Sequence, residues 1–379
     1  MNKVFSIKNS VLTIISSIAF IVYIVIGLLL NTTINFKNWY KFAKIIQYIC
    51  IIILIIITGI LLVFFNYKIS WLNILLFVGG VVNFLVTKHI FILFLALSFF
   101  TLKKCNIEYV LKLHCYSLVV VLLSTFILAN IGIIENIISY RYENGVEVYK
   151  RYGFGFKAVT LPLSLLFFIL VEHLIIKKFN FNFFDYLIYI ASGLFLFAFT
   201  RTRTGFLLVL MLLTMNYLSK IKLFKKIFNS RFIKISITFL PIILTIVTFF
   251  LCWFYDQSNS FMSELNHVLT GRLYLTHNLF SKYGITLFGS VINVNDNGFY
   301  IGSDISYMFY ILEYGLFNLI LILFLIFSSI KKCRSINSMY IIILFFVIMN
   351  SLVEPYLMDL KYHVIFLLPF MPNFVAFFK

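Results

Sequence analysis

The 379-residue chain has few charged residues, and few of those are acidic. Charged residues make up 12% of the sequence, only 13 residues are Asp or Glu, and 62% are hydrophobic, with a mean hydropathy of +1.04. A soluble domain of this composition would expose a very large apolar surface, so the composition excludes one. The sequence also contains no low-complexity linker and no strong internal repeat. We therefore predict a polytopic membrane protein.

Cysteine and histidine are scarce as well, with five and six residues respectively. None of the cysteines lies in a long loop, which argues against a disulfide framework. No group of cysteines and histidines has the spacing of a zinc site. The net charge of +18 is strongly basic, but its distribution along the chain fits membrane orientation and requires no nucleic-acid partner.

Twelve apolar stretches predict membrane-spanning helices. They lie near residues 11–30, 45–65, 71–86, 89–102, 116–134, 159–176, 183–200, 205–219, 235–254, 306–328, 340–353 and 364–378. The first stretch is too long for the core of a signal peptide, and we expect it to be retained. The predicted fold is all-α, a single integral membrane domain over residues 1–379 with about twelve transmembrane helices.

The basic residues predict the orientation of this domain. More than half of the 31 lysines and arginines lie in segments on the same side as the N-terminus, whereas most acidic residues lie on the other side. The positive-inside rule then places both termini in the cytoplasm. Two long loops, near 135–158 and 255–305, would lie on the outer face. Within the second loop, residues 263–280 can form a short amphipathic helix.

Two arginines interrupt the long apolar run from Phe183 to Leu218. A single helix of that length would far exceed a hydrocarbon core of about 30 Å, so the chain must turn. The segment Thr200–Gly205, which holds Arg201 and Arg203, is polar enough to form the turn, and we expect Gly205 to relax its backbone. In a continuous helix the two arginines would point about 200° apart. They can share a diphosphate only if the turn breaks the helix. The alternative to a substrate site is that the two arginines contact lipid phosphates at the membrane surface.

Other charged residues on the same face are candidates for binding or acid–base chemistry. Arg272 follows Gly271 in the second loop. The alternative to a binding role is an ordinary solvated arginine on a surface helix. Arg151 lies in the first loop, where local pairing is the alternative. Asp304 and His277 are candidate bases, although an acid just before an apolar stretch is often a helix N-cap.

Two carboxylates lie inside predicted spans, where an ionisable group usually faces a cavity or a partner. Glu172 has Lys177 within reach, which favours a structural ion pair. Glu313 is the second of these carboxylates, and we expect it to face a cavity or a partner.

Seven short motifs follow one another from residue 151 to residue 356. They are RYGFGF at 151–156, FTRTRTG at 199–205, TGR at 270–272, ITLFG at 285–289, DISY at 304–307, EYGLF at 313–317 and SLVEPY at 351–356. In this order they resemble the O-antigen and capsule repeat-unit polymerases (Wzy type) and the related O-antigen ligases. The ligases often carry a histidine where this chain has Ser303-Asp304, which favours a polymerase.

The resemblance implies a GT-C-like membrane fold and glycosyl transfer on the outer face of the bacterial plasma membrane, without a metal or cofactor. The substrate would be an oligosaccharide repeat unit linked to a polyprenyl diphosphate, and the partners a chain-length regulator and a flippase. Arg201, Arg203 and Arg272, with Arg151 as a further candidate, would bind the diphosphates. Asp304, or else His277, would accept the proton. A lipid-linked oligosaccharide flippase or another multi-span transporter is the alternative.

Overall fold

The computed structural model describes residues 2–35, 38–64, 70–143, 146–292, 303–333 and 338–378. For residues 2–10, 141–143, 146, 147 and 225 it describes the backbone alone. The protein is 73% helix and 3% strand. The expectation of a largely helical chain is thus confirmed, with a small sheet added to it.

Fifteen α-helices and two strands lie within the described ranges. In the first half of the chain they are α1 (Asn2–Leu29), α2 (Trp39–Phe64), α3 (Trp71–Thr87), α4 (Phe91–Thr101), α5 (Ile107–Asn130), β1 (Ile138–Glu143), β2 (Val146–Tyr152), α6 (Leu161–Ile176) and α7 (Phe183–Thr200). In the second half they are α8 (Arg203–Leu218), α9 (Lys222–Phe228), α10 (Arg231–Trp253), α11 (Ser260–Val268), α12 (Arg272–Tyr283), α13 (Ser306–Cys333), α14 (Ser338–Asn350) and α15 (Phe374–Phe378).

The chain divides into two compact units. Unit 1 consists of Met1–Phe65, Thr101–Lys225 and Leu360–Lys379, and unit 2 of Asn66–Phe100 and Lys226–Asp359. In unit 1 the central helix is α6, whose side chains are almost all buried and which contacts α5, α7 and α8. In unit 2 the central helix is α13, which contacts α3, α10, α12 and α14.

Six of the described helices are long and apolar enough to cross a membrane. They are Val11–Leu29, Trp39–Phe64, Ile107–Asn130, Phe183–Thr200, Arg231–Trp253 and Ser306–Cys333. A seventh span results if α8 and α9, which meet at a bend of 101°, are counted together. These helices are consistent with a multi-pass membrane protein. Four further predicted spans are the shorter helices α3, α6, α8 and α14, and a fifth is the 11-residue α4, so the count of twelve is not confirmed.

The last predicted span, 364–378, is not a continuous helix. The structure has a short 3₁₀ turn at Leu368–Phe370 and the five-residue α15. Pro369 and Pro372 lack the backbone N–H that a helix needs, and Asn373 has a positive φ of 60°, so a helix cannot run through this segment. Residues 362–368 are buried all the same. Irregular backbone of this kind is tolerated at membrane depth only where protein surrounds it.

The amphipathic segment predicted at 263–280 is two helices. α11 ends at Val268 and α12 begins at Arg272, because Thr270 and Gly271 both have positive φ, at 55° and 85°. α11 has no buried residue, whereas α12 buries one face. The turn therefore allows α12 alone to pack into unit 2.

Candidate substrate-binding site

The structure breaks the helix between Arg201 and Arg203. α7 ends at Thr200, and Arg201 takes the left-handed conformation, with φ 53° and ψ 30°. Thr202 follows with φ −85° and ψ 89°, and α8 begins at Arg203. We call residues 200–203 the arginine turn. The break that the two arginines need in order to act on one ligand is therefore present.

Polar contacts from a strand and a loop of unit 1 support the arginine turn. Arg151 Nε donates a hydrogen bond to Thr200 O at 2.9 Å, which satisfies a carbonyl at the end of α7 that has no partner within the helix. Thr202 Oγ1 lies 3.5 Å from Val159 O and donates to it. A left-handed residue other than glycine costs about 1 kcal/mol or more. These contacts help to offset that strain at Arg201.

Gly205 has a different role from the one predicted. It lies inside the first turn of α8 and does not relax the arginine turn. A Cβ at this position would lie 3.0 Å from Leu163 Cδ2 on α6. The missing side chain instead lets α8 approach α6 closely.

A pocket of about 300 Å³ opens beside the arginine turn. It is lined by Val148, Tyr149, Phe197, Arg201 and Arg203. Both arginine side chains are exposed. Two guanidinium forks can bind phosphate oxygens in a bidentate manner, and the aromatic rings offer a surface for an apolar or sugar group. The pocket therefore suits an anionic headgroup that is attached to a larger molecule.

The β1–β2 hairpin forms one wall of this pocket. The strands pair antiparallel, with Ile138 opposite Tyr152 and Ser139 opposite Arg151. Side chains two apart on a strand lie on the same face, so Tyr149 and Arg151 are on one face of β2. That face meets the arginine turn through the hydrogen bond from Arg151 to Thr200 O. Tyr152, on the opposite face, lies edge-on to Phe199 of α7 at 6.0 Å between ring centroids.

Sequence reasoning missed the hairpin and with it Tyr149. The signal was present, because residues 138–143 and 146–152 are rich in Tyr, Val and Ile and flank Asn144-Gly145. An Asn-Gly pair between two such runs is typical of a tight hairpin. The segment was predicted only as an outer loop, so Arg151 was a candidate without a position and Tyr149 was not a candidate.

Unit 2 holds the other three predicted residues, at the start and middle of α12 and before α13. Arg272 Nε lies 3.4 Å from Asp304 Oδ2, and its Nη1 donates to Leu269 O and Thr270 Oγ1. Only 14% of the Arg272 side chain is exposed, so the alternative of an ordinary solvated arginine is wrong. Asp304 is paired with Arg272, and α13 begins two residues later at Ser306.

The ionisation of Asp304 is subject to two opposing effects. Desolvation by the surrounding chain raises the pKa of its carboxyl group, and the Arg272 guanidinium lowers it. Because 52% of the side chain remains exposed, solvent screens both effects. Desolvation is the larger effect, so the pKa of Asp304 is raised. A raised pKa suits a proton acceptor that works above the ordinary pKa range of aspartate.

His277 is held by one nitrogen. Its Nδ1 lies 3.0 Å from Cys252 O, which can only accept, so Nδ1 carries the proton. The ring packs against Tyr255 at 5.7 Å between centroids. This tautomer leaves Nε2 as the basic nitrogen.

The predicted site residues thus form two clusters, each within one unit. Arg151, Arg201 and Arg203 meet in unit 1, and Arg272 and Asp304 meet in unit 2, with His277 on the same helix as Arg272. No protein-family model, curated protein or solved structure matches this chain. The resemblance to polysaccharide polymerases therefore rests on the sequence motifs.

Glu172 does not pair with Lys177, so that prediction is wrong. Its Oε2 lies 2.8 Å from Nδ1 of His114, and its Oε1 accepts the Val364 N–H at 3.2 Å. Lys177 instead contacts Asp185 at 2.9 Å. Residues five apart on a helix point in different directions, whereas His114 comes from α5 and faces α6 directly. Both partners are fully buried.

This buried pair holds the irregular segment that follows residue 360. Nε2 of His114 lies 3.0 Å from Leu360 O, so both ring nitrogens face acceptors. One proton must therefore be held between His114 and Glu172 in addition to the one on Nε2. The pair is a structural anchor in unit 1.

Glu313 lies on α13 and is 3% exposed. Its Oε2 is 3.9 Å from Nε2 of His89, whose side chain is 36% exposed. The backbone carbonyl of Glu313 accepts from Asn83 Nδ2 at 3.3 Å. These partners were not predictable from the sequence, because both lie more than 200 residues away along the chain.

Proposed function

We propose that this protein polymerises oligosaccharide repeat units, linked to a polyprenyl diphosphate, into a surface polysaccharide such as O-antigen or capsule. The observation that carries the proposal is the arginine turn, in which a left-handed Arg201 separates two helices and brings Arg201 and Arg203 to one pocket. The order of the seven motifs supports the same assignment.

The chemistry of the reaction requires such a site. The bond between the anomeric carbon and the lipid diphosphate breaks, and a glycosidic bond to an acceptor hydroxyl forms. Negative charge develops on the departing diphosphate, which fixed guanidinium groups stabilise. Arg201 and Arg203 supply these groups, and Arg151 holds the backbone of their turn. The proton of the acceptor hydroxyl passes to Asp304 in our assignment, with His277 as the second candidate.

The charge distribution supports the membrane placement of this reaction. We infer about twelve membrane-crossing segments, cytoplasmic termini and an arginine turn on the extracytoplasmic side of the plasma membrane. A lipid-linked repeat unit presents its diphosphate on that side after translocation. We propose a chain-length regulator and a flippase as its partners.

Replacing Asp304 by asparagine should lower the rate of polymerisation about a hundredfold or more, because a positioned base contributes about that much. In the wild type, the rate should fall as the pH is lowered through the pKa of Asp304. Burial raises that pKa, so the fall should begin above the range of an exposed aspartate. The measurement is the pH profile of polymer formation in membrane vesicles supplied with lipid-linked repeats.

The control for this measurement is Glu264→Gln, which changes an exposed acid on α11. It should leave the rate and profile unchanged. A D304N variant with a wild-type rate and acid limb would exclude Asp304 as the base, and His277→Ala would then be the next variant to measure.

The proposed function is tested by deleting the gene in the source bacterium and examining its surface glycan. We expect the ladder of long chains to disappear while single lipid-linked repeats still reach the outer face, and the wild-type gene to restore the ladder. An unchanged ladder would contradict the proposal. Repeats trapped on the cytoplasmic side would show a flippase instead.

A further inference from the structure

A second basic cluster lies in unit 1, where the irregular segment after residue 360 meets α1 and α2. The side chain of Lys361 lies against Gly27 of α1, where a Cβ would be 2.7 Å from Lys361 Cδ. The same point is 3.3 Å from Nε2 of Gln47 on α2. The absence of a side chain at Gly27 therefore lets Lys361 and Gln47 come together.

Lys44 joins this cluster from α2. It precedes Gln47 by three residues, so the two side chains lie on the same face of the helix. Its ammonium group is close enough to that of Lys361 for the charges to repel. Among the residues that the structure describes, no carboxylate pairs with Lys44. Two ammonium groups that converge on one point can together bind the oxygens of a phosphate group.

Gln47 provides a second sign of a ligand. The residue is only 4% exposed, yet its Oε1 has no hydrogen-bond partner within the described structure. An orphaned buried amide oxygen costs about 1–3 kcal/mol, and a hydroxyl donor would satisfy it. The cluster therefore has groups for a phosphate and for a neighbouring hydroxyl, which together are the features of a phosphate-bearing lipid headgroup.

The cluster lies at the same end of unit 1 as the arginine turn. Asn31, one turn beyond Gly27, accepts the backbone N–H of Lys157 at 2.9 Å. Val159, two residues further on, accepts from Thr202 of the arginine turn. Two residues span at most about 7 Å. The end of α1 and the arginine turn are thus bridged by three residues of chain.

We propose that Lys44, Lys361 and Gln47 form a second binding site for a phosphate-bearing lipid headgroup, separate from the pocket at the arginine turn. Under the proposed function, on which this assignment of the ligand rests, it holds the diphosphate of the acceptor while the arginine turn holds that of the donor. An anionic phospholipid offers the same chemistry, and the two sources are separated by experiment.

The test counts bound headgroups on the full-length protein in detergent by native mass spectrometry, with farnesyl diphosphate as the probe. The wild type should bind two molecules. The variant with both Lys44→Met and Lys361→Met should retain one, held at the arginine turn, and its affinity at the lost site should fall about tenfold or more. Lys41→Met, which changes an exposed lysine on the same helix, should still bind two.

The outcomes separate this inference from the proposed function. A wild type that binds one molecule, or a double methionine variant that still binds two, overturns the second site. If the double methionine variant binds neither molecule, the variant Lys44→Arg/Lys361→Arg, which keeps both charges, is measured as well. It should bind two molecules, and a smaller number overturns the second site. A second site that takes phosphatidylglycerol and not farnesyl diphosphate supports headgroup binding and overturns the acceptor role. If changes at Arg201 and Arg203 remove neither molecule, the proposed donor site fails while the second site stands.

Discussion

Replacement of Arg203 by alanine should abolish long-chain polysaccharide while single lipid-linked repeats still reach the cell surface. The variant loses a guanidinium that can make two charge-assisted hydrogen bonds to one diphosphate, each contributing about 1.5–3 kcal/mol. The expected loss of product is therefore about a hundredfold or more. Arg203→Lys should also be poor, because a point charge does not reproduce a planar fork. The measurement is the length of the polysaccharide ladder on a gel, at equal amounts of protein in the membrane.

Arg201→Gly separates a role in binding from a role in the turn. Arg201 has a φ of 53°, a conformation that glycine adopts without cost. The glycine variant should therefore keep or raise the stability of the protein, by about 1 kcal/mol, and still lose the ladder. Lys88→Gly is a matched control, because Lys88 is also a left-handed residue at the end of a helix, with a φ of 63°. It should gain stability and keep the ladder.

Two results would overturn this assignment. A wild-type ladder in Arg203→Lys would show that any positive charge suffices, as expected for contact with lipid phosphates. A wild-type ladder in Arg201→Gly would show that only the shape of the turn matters.

Lys150→Ala is a further control, because it changes an exposed lysine on the opposite face of β2 from Tyr149 and Arg151. It should leave the ladder unchanged.

The arginine turn was predictable from sequence because its causes are local. A long apolar run must turn at its one polar segment, and that rule placed the break between residues 200 and 205. The same reasoning placed the end of α7 at residue 200. The role of Gly205 was not predictable in this way, because it depends on Leu163, which approaches from another helix.

The features that sequence reasoning missed depend on contacts between distant segments. His114 faces Glu172 across 58 residues, and Lys361 reaches Gly27 from the far end of the chain. Hydropathy alone predicts a helix over 364–378, since it cannot show that surrounding helices satisfy the backbone of an irregular segment. The hairpin is a different case, because the signal at Asn144-Gly145 was local and was outweighed by the helical character of the rest of the chain.

The break in α13 is the clearest example of a distant contact that changes a helix. At Gly315 the backbone leaves the helical conformation, with φ 85° and ψ 166°. The N–H groups of Leu316 and Phe317 donate to Thr286 O and Leu287 O at 3.0 and 3.1 Å, and Ser290 N–H donates to Leu312 O at 2.9 Å. The segment 286–290 thus supplies the hydrogen bonds that the break removes from the helix.

Gly315→Ala should prevent the protein from reaching its folded state. A Cβ at Gly315 would lie 2.3 Å from Leu287 O and 2.4 Å from Gly289 N, and backbone atoms cannot move aside as a flexible side chain can. The conformation of Gly315 is also one that only glycine adopts readily, at a cost of about 1–3 kcal/mol for another residue. With the loss of the hydrogen bonds to residues 286–290, we expect a destabilisation of about 4 kcal/mol or more.

The measurement is the melting temperature and the size-exclusion profile of the purified protein in detergent. Gly59→Ala is the control, because Gly59 lies in α2 with no atom within 4 Å of the added Cβ, and alanine favours a helix by about 0.5–1 kcal/mol. It should elute as the wild type does and melt at the same or a higher temperature. If Gly315→Ala behaved in the same way, neither the break in α13 nor its hydrogen bonds with residues 286–290 would be needed for the protein to fold.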